Sequence, residues 1–389
     1  MTRYDAGWPP AFPSQAPQPP PARRGAGLLA LFVAGGVLVV ASLLLVVPFL
    51  LRSTGSAGFA IGFVLSLFPL AVVLLAVYAV DRWEPEPKRL LAFALAWGGA
   101  VAVAATTLVQ PLFMAAFAPR GATEARTMEF LATVQAPIVE ETAKGVGLLI
   151  LMLVARRHVG GPVDGIVYGM TVGAGFAFTE NVLYFGRLYD DSSGSPASLA
   201  VIFTLRGILS PFAHAMFTGA IGLAMGFAAR RSGPVGIAVA FVVGLVPAML
   251  LHNVWNGAGE DFFMLYALVQ VPLFAASVAG VYVLRRAEAR ITHARLVEYA
   301  QAGWFTPLEV EMLATPRGRS AGLRWATSAG RRAPMQALIR TATQLASRRQ
   351  RVLSGRDLDG YEGAERDLLD RVVRLRAEIT GVPHDRPQL

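Results

Sequence analysis

The sequence predicts an all-α, polytopic membrane protein with about eight transmembrane helices and a small cytoplasmic helical tail. Two observations carry that prediction. Hydrophobic residues make up 54% of the 389-residue chain and charged residues only 16%, whereas a soluble domain carries about a quarter. The hydrophobic residues also fall in long blocks rather than at the spacing of a core face.

Residues 1–26 hold seven prolines and read as a disordered, extended cytoplasmic arm. The apolar run from Gly27 to Leu50 is too long for a signal-peptide core and lacks a small-residue cleavage site, so it reads as a span. A membrane helix needs about 20 apolar residues. On that measure spans are expected at roughly 27–50, 57–80, 90–117, 129–154, 165–186, 200–228, 234–256 and 261–284, forming a transmembrane domain over 27–284. Charge interrupts the fourth and the sixth. Residues 285–389 form a basic cytoplasmic tail whose amphipathic stretches, such as PMQALIRTATQLASRR and AERDLLDRVVRLRAEI, predict short helices lying against the membrane or a partner.

Charge sets the orientation. With the N-terminus in the cytoplasm, Arg82, Lys88, Arg89, Arg156, Arg157, Arg230 and Arg231 lie inside, and only Arg52, Arg120, Arg126 and Arg187 lie outside. That asymmetry obeys the positive-inside rule, and an even number of spans returns the C-terminus to the cytoplasm. Most of the net charge of +9 belongs to the tail, which has 19 Arg against 12 Asp and Glu. Basic flanks of this kind suit the anionic lipid bilayer, so no nucleic-acid partner is expected. The chain has no cysteine, which excludes disulfides, thiolate metal ligands and a cysteine nucleophile.

Ionisable groups inside a bilayer are costly, at about 2.5–3.5 kcal/mol each on insertion scales, and here they are grouped. The fourth span carries Glu140, Glu141 and Lys144 within PIVEETAKG. The fifth carries Glu180 and Asn181, the sixth His214 at mid-helix, and the seventh His252, Asn253 and Asn256. All can meet in the central-to-outer half of the membrane. Glu140 and Lys144 are four residues apart and can neutralise each other, but Glu141 points about 100° away, so one ion pair cannot satisfy both acids. Asn253 and Asn256 also fit as glue between helices, or Asn256 as the group that fixes the His252 tautomer. Arg206 reads as a structural residue that snorkels outward or pairs with a carboxylate. Small-residue stripes at Gly165, Gly169, Gly173 and Ala177, and at Gly222 and Gly226, would let the fifth and sixth helices approach closely.

The motifs EETAK, FAFTEN, FAHAMFTG and HNVWN, in that order on consecutive spans, resemble those of the PrsW family of intramembrane proteases. The DRWEPEP loop, Asp81 to Pro87, is similar to one characteristic of that family. A wider clan includes the CAAX prenyl endopeptidases and CPBP proteins. The resemblance covers roughly residues 57–284 and implies a multi-pass protein of a bacterial cytoplasmic membrane. It implies cleavage of a membrane-anchored protein substrate, an anti-sigma factor in the best-known case. Carried over by position, Glu140, Glu141, Glu180 and His214 become the catalytic set, with His252 and Asn256 as further members.

Two mechanisms fit those residues. In one, His214, His252 and Glu180 hold Zn²⁺ and a second glutamate deprotonates its water. In the other there is no metal: a buried glutamate activates water directly, and a histidine steadies the oxyanion. The lack of an HExxH ligand pair inclines the reading toward the second. A proton- or ion-coupled transporter and a non-proteolytic membrane scaffold are the rival readings of the same buried charges.

Overall fold

The computed structural model describes residues 26–156, 159–191, 195–258, 262–355 and 361–381. Residues 1–25 of the proline-rich arm, and Arg157, lie outside the described residues. Every regular element among the described residues is helical.

The first two expected spans fall in α1 (Ala26–Asp81), which is two helices joined at Gly55. That residue has φ 63°, a left-handed conformation that a Cβ would oppose. The third run is α2 (Lys88–Ala96), a π-helical turn over Trp97–Ala102, and α3 (Val103–Phe117). The fourth is α4 (Glu124–Phe130), a π-helical turn over Leu131–Gln135, and α5 (Ala136–Val154). The fifth is α6 (Pro162–Asp191). The partners of α1 show the chain reversing at Gly55. Leu31 shares a core with Ala155 and Val159, Gly55 lies beside Asp190, and Val73 and Val77 pack with Val163 and Val167. Both ends of α1 therefore sit near the start of α6, and Gly55 sits near its end.

The sixth run is α7 (Pro196–Phe203), a π-helical turn over Thr204–Leu209, and α8 (Ala213–Arg231). Here the structure corrects an expectation: His214 is not at mid-helix but in the first turn of α8. The helix stops at Ser210 (φ −130°, ψ 34°) because Pro211 has no N–H to offer the preceding turn. α9 (Pro234–Asn256) follows, then α10 (Phe262–Leu265), a π-helical turn over Tyr266–Gln270, and α11 (Val271–Gln301). Among the described residues, five helical stretches are long and apolar enough to cross a membrane: 27–81, 88–117, 196–230, 234–256 and 262–301. The chain is a multi-pass membrane protein. α5 and α6 are not among the five, and the residues that dilute them are Glu140, Glu141, Lys144, Glu180 and Asn181 together with the α6 glycines.

α6 is the central post. Its glycine stripe meets that of α8: a Cβ on Gly165 would strike the Gly222 carbonyl, and one on Gly173 would strike the carbonyl of His214. The two backbones touch, which fixes the height of His214 against α6.

The tail is a helical bundle. α11 runs through the boundary expected at residue 284 without interruption, since the change from Leu284 to Arg285 alters polarity and not helix propensity. Its second half packs with α12 (Pro307–Ala314), α13 (Pro316–Ser328), α14 (Arg332–Leu353) and α15 (Tyr361–Thr380) around Leu296, Leu313, Ala326, Leu345 and Val372. Arg319 joins this bundle to the DRWEPEP loop. It donates to the carbonyls of Trp83 (2.9 Å) and Leu313 (2.6 Å) and to Thr343 Oγ1 (2.7 Å), with its guanidinium 3.4 Å from the Trp83 ring centroid. Ser347 donates to Glu84 at 2.9 Å. From the same loop, Glu86 accepts a 2.5 Å bond from Tyr168 on α6.

Candidate active site

Pro137 in the first turn of α5 cannot donate to the carbonyl of Thr133, and the helix relaxes into the π-helical turn before it. The carbonyls left over are taken from α9. Asn253 donates to Thr133 O at 2.5 Å and Asn256 to Ala132 O at 2.8 Å. The two asparagines thus fasten α9 to the entry of α5. Asn256 spends its amide there and does not orient His252.

One turn later α5 presents Glu140, Glu141 and Lys144 to α8 and α9. Lys144 is the centre. Its Nζ lies 2.7 Å from Glu141 Oε1, 3.2 Å from Glu140 Oε2 and 3.0 Å from His214 Nδ1, 3.8 Å from the Phe176 ring centroid. Because the ammonium only donates, His214 Nδ1 accepts, which places that ring's proton on Nε2. His214 Nε2 faces Glu180 Oε2 at 2.7 Å. Glu180 also pairs with Arg206, whose Nε donates to Asn181 Oδ1 at 2.8 Å. Arg206 therefore pairs with a carboxylate of the cluster.

The two adjacent glutamates differ. Glu141 is fully enclosed and accepts from Lys144, from Thr218 Oγ1 at 3.2 Å and from His252 Nδ1 at 3.0 Å. Glu140 is 8% exposed, is held by Lys144 alone, and lies 3.9 Å from His252 Nε2. Phe217 stacks on His252 at 5.0 Å and meets His214 edge-on at 5.6 Å. The structure thus gathers Glu140, Glu141, Glu180, His214 and His252 around Lys144, with Asn256 to one side. The parts that sequence reasoning missed are Phe176, Phe217 and the Thr218 bond to Glu141. A threonine 77 residues from its carboxylate carries no sequence signal of that pairing.

On the far side of Phe217 lies a cavity of about 200 Å³, lined by Pro211, Met216, Leu251, Trp255, Gln270 and Phe274 among others. Gln270 lines it, and both of its side-chain amide atoms are buried without a hydrogen-bond partner.

The donor set suits a metal in kind. Glu140, Glu141, His214 and His252 each offer one ligand atom, all within 4.8 Å of one another, and carboxylate and imidazole are zinc ligands. This group differs from the expected His214, His252 and Glu180, because Glu180 is held at the outer nitrogen of His214 by Arg206. Lys144 Nζ stands among three of those four residues, so a cation would share its partners with the ammonium.

The model of the PrsW family, described as intramembrane metalloproteases, matches residues 86–280. A protein named Protease PrsW from Clostridioides difficile (strain 630) is 28% identical over 161 residues, which is 41% of this chain and 63% of that protein. The match thus spans less than two thirds of that relative's length. No solved structure matches the chain.

Proposed function

The chain belongs to the PrsW family, and on that premise we propose that it is an intramembrane peptidase, with eight membrane crossings, acting on membrane-anchored proteins. The observation that carries this reading is the contrast between Glu140 and Glu141. Buried carboxylates are hydrogen-bonded, and Glu141 accepts from three donors, Lys144, Thr218 and His252. Glu140, held by one donor and 8% exposed, has the free lone pairs of a general base.

In this mechanism Glu140 takes a proton from water as the water oxygen bonds to the scissile carbonyl carbon. The carbonyl electron pair moves onto its oxygen, and the Lys144 ammonium supplies the positive field that steadies it. Collapse of the tetrahedral species breaks the C–N bond, and Glu140 returns its proton to the leaving amine. Glu141 positions His252 and Lys144, and Glu180 with Arg206 holds the His214 ring. Were a divalent ion bound, Glu140, Glu141, His214 and His252 would hold it; it would acidify water and polarise the carbonyl, with Glu140 then a ligand in place of the base. The cavity beyond Phe217 is where the substrate would lie: Gln270 on its lining carries an unpaired carbonyl acceptor and an unpaired NH₂ donor group, the kinds of group an unwound peptide backbone requires. An anti-sigma factor is one protein of the class expected.

The test compares envelope proteins from cells expressing the wild type and Glu140→Gln at matched levels. A membrane protein shortened only by the wild type supports the reading. If no protein is shortened and proteoliposomes of the wild type carry a proton flux that Glu140→Gln abolishes, the buried charges belong to a transporter instead.

A further inference from the structure

At the end of the bundle where the tail packs, the second half of α1, the start of α2, α11 and the tail helices enclose a cleft of about 2020 Å³. Its walls change character along the helix axes. On the membrane side they are apolar, with Leu74, Val77, Leu91, Leu95, Val278 and Val281. On the tail side they are basic: ten Arg and Lys line the cleft against three acids, Asp81, Glu86 and Glu311. Arg319 is committed to Trp83, Leu313 and Thr343. Arg82, Lys88, Arg290, Arg324, Arg332 and Arg340 are different. All six are exposed, and none pairs with a carboxylate among the described residues. The apolar window of the helix that forms one wall, 262–301, has no buried residue, so the cleft opens sideways toward lipid.

Like charge gathered without counter-ions is costly unless something anionic neutralises it. A soluble polyanion would satisfy the arginines and leave the apolar wall bare. A neutral lipid would cover that wall and leave the arginines unpaired. We propose that this cleft is a binding site for an anionic phospholipid, with its headgroup phosphate among the tail-side arginines and its acyl chains along α1, α2 and α11. Basic pockets between membrane helices on the cytoplasmic side are where anionic headgroups bind. The lipid would bridge the tail bundle and the membrane domain at the joint that Arg319 also spans.

The experiment uses the full chain purified in detergent, challenged with phosphatidylglycerol or phosphatidylcholine, with retained lipid counted by native mass spectrometry. Two charge-matched triple variants are compared: Arg82→Gln with Arg290→Gln and Arg340→Gln in the cleft, and Arg366→Gln with Arg371→Gln and Arg374→Gln on α15 outside it. The wild type and the α15 variant are expected to favour phosphatidylglycerol by about tenfold or more, and the cleft variant to lose that preference. The proposal is overturned if the wild type retains both lipids equally, if the α15 variant loses as much as the cleft variant, or if glycerol phosphate displaces phosphatidylglycerol as well as fresh phosphatidylglycerol does. A wild type without that preference overturns the proposal even where a variant folds poorly.

Discussion

Lys144 Nζ lies 2.7 Å from the carboxylate of Glu141, three residues earlier on the same helix, and neither side chain reaches solvent. The ammonium makes it tolerable to bury two carboxylates side by side, since Glu140 lies 3.2 Å from the same nitrogen. Removing one partner of a buried ion pair costs about 3–5 kcal/mol because the other charge is left unpaired. Lys144→Met should therefore lower the melting temperature and abolish cleavage. Thermal unfolding in detergent and fragment counting would check both. A variant that kept cleavage and gained stoichiometric zinc would show the ammonium occupying a metal's place.

Glu140 and Glu141 should separate experimentally. Glu140→Gln is expected to cut kcat by about 10²–10⁴-fold, the range for losing a general base, with little change in stability. Glu141→Gln removes the charge that Lys144, His252 and Thr218 converge on, so it should lose activity and melt earlier. Equal melting losses for both would remove the distinction between base and positioning acid.

Gln270→Leu tests the cavity beyond Phe217. The substitution replaces two buried amide atoms that have no partner with an apolar group, so the folded protein should be as stable as the wild type or slightly more so. If those atoms await a substrate backbone, KM should rise several-fold while kcat changes less. An unchanged KM would return Gln270 to a packing role.

The close approach of α6 and α8 was legible in the sequence, and so was the cluster. A glycine every fourth residue on α6 facing Gly222 and Gly226 has one physical use in a membrane, which is backbone contact. Gly165→Ala should cost about 1–3 kcal/mol by overpacking against the Gly222 carbonyl, measurable by thermal unfolding. What the sequence did not show is the work of the prolines. Pro137 frees two carbonyls that Asn253 and Asn256 then cap, 120 and 124 residues away, and Pro211 moves His214 from mid-helix to a first turn. Periodicity reports which face is apolar but not which backbone groups lack partners. The same limit hid how the first two spans reverse: hydropathy and charge marked two opposed crossings, and the left-handed Gly55 shows that the chain turns back without a loop.

The joint between tail and membrane domain makes the last prediction. Arg319 holds Trp83, Leu313 and Thr343 together, and Ser347 holds Glu84, so these groups secure α13 and α14 to the DRWEPEP loop. Burial raises the carboxyl of Glu84 above its ordinary range, with the Ser347 hydrogen bond and nearby arginines opposing it. An acid whose folded value is raised takes up a proton on docking, so its contribution is complete below the ordinary carboxylate range and is lost as pH rises through the raised value. Docking should thus loosen as pH rises above the ordinary carboxylate range. Glu84→Gln should flatten that dependence while keeping the bond from Ser347. Arg319→Ala should free the tail at every pH, because it removes three hydrogen bonds and the cation over Trp83 together. Limited proteolysis of the wild type and both variants across that pH range, scored by release of the tail, reads all three outcomes. A tail released equally from wild type and Arg319→Ala would place the joint elsewhere.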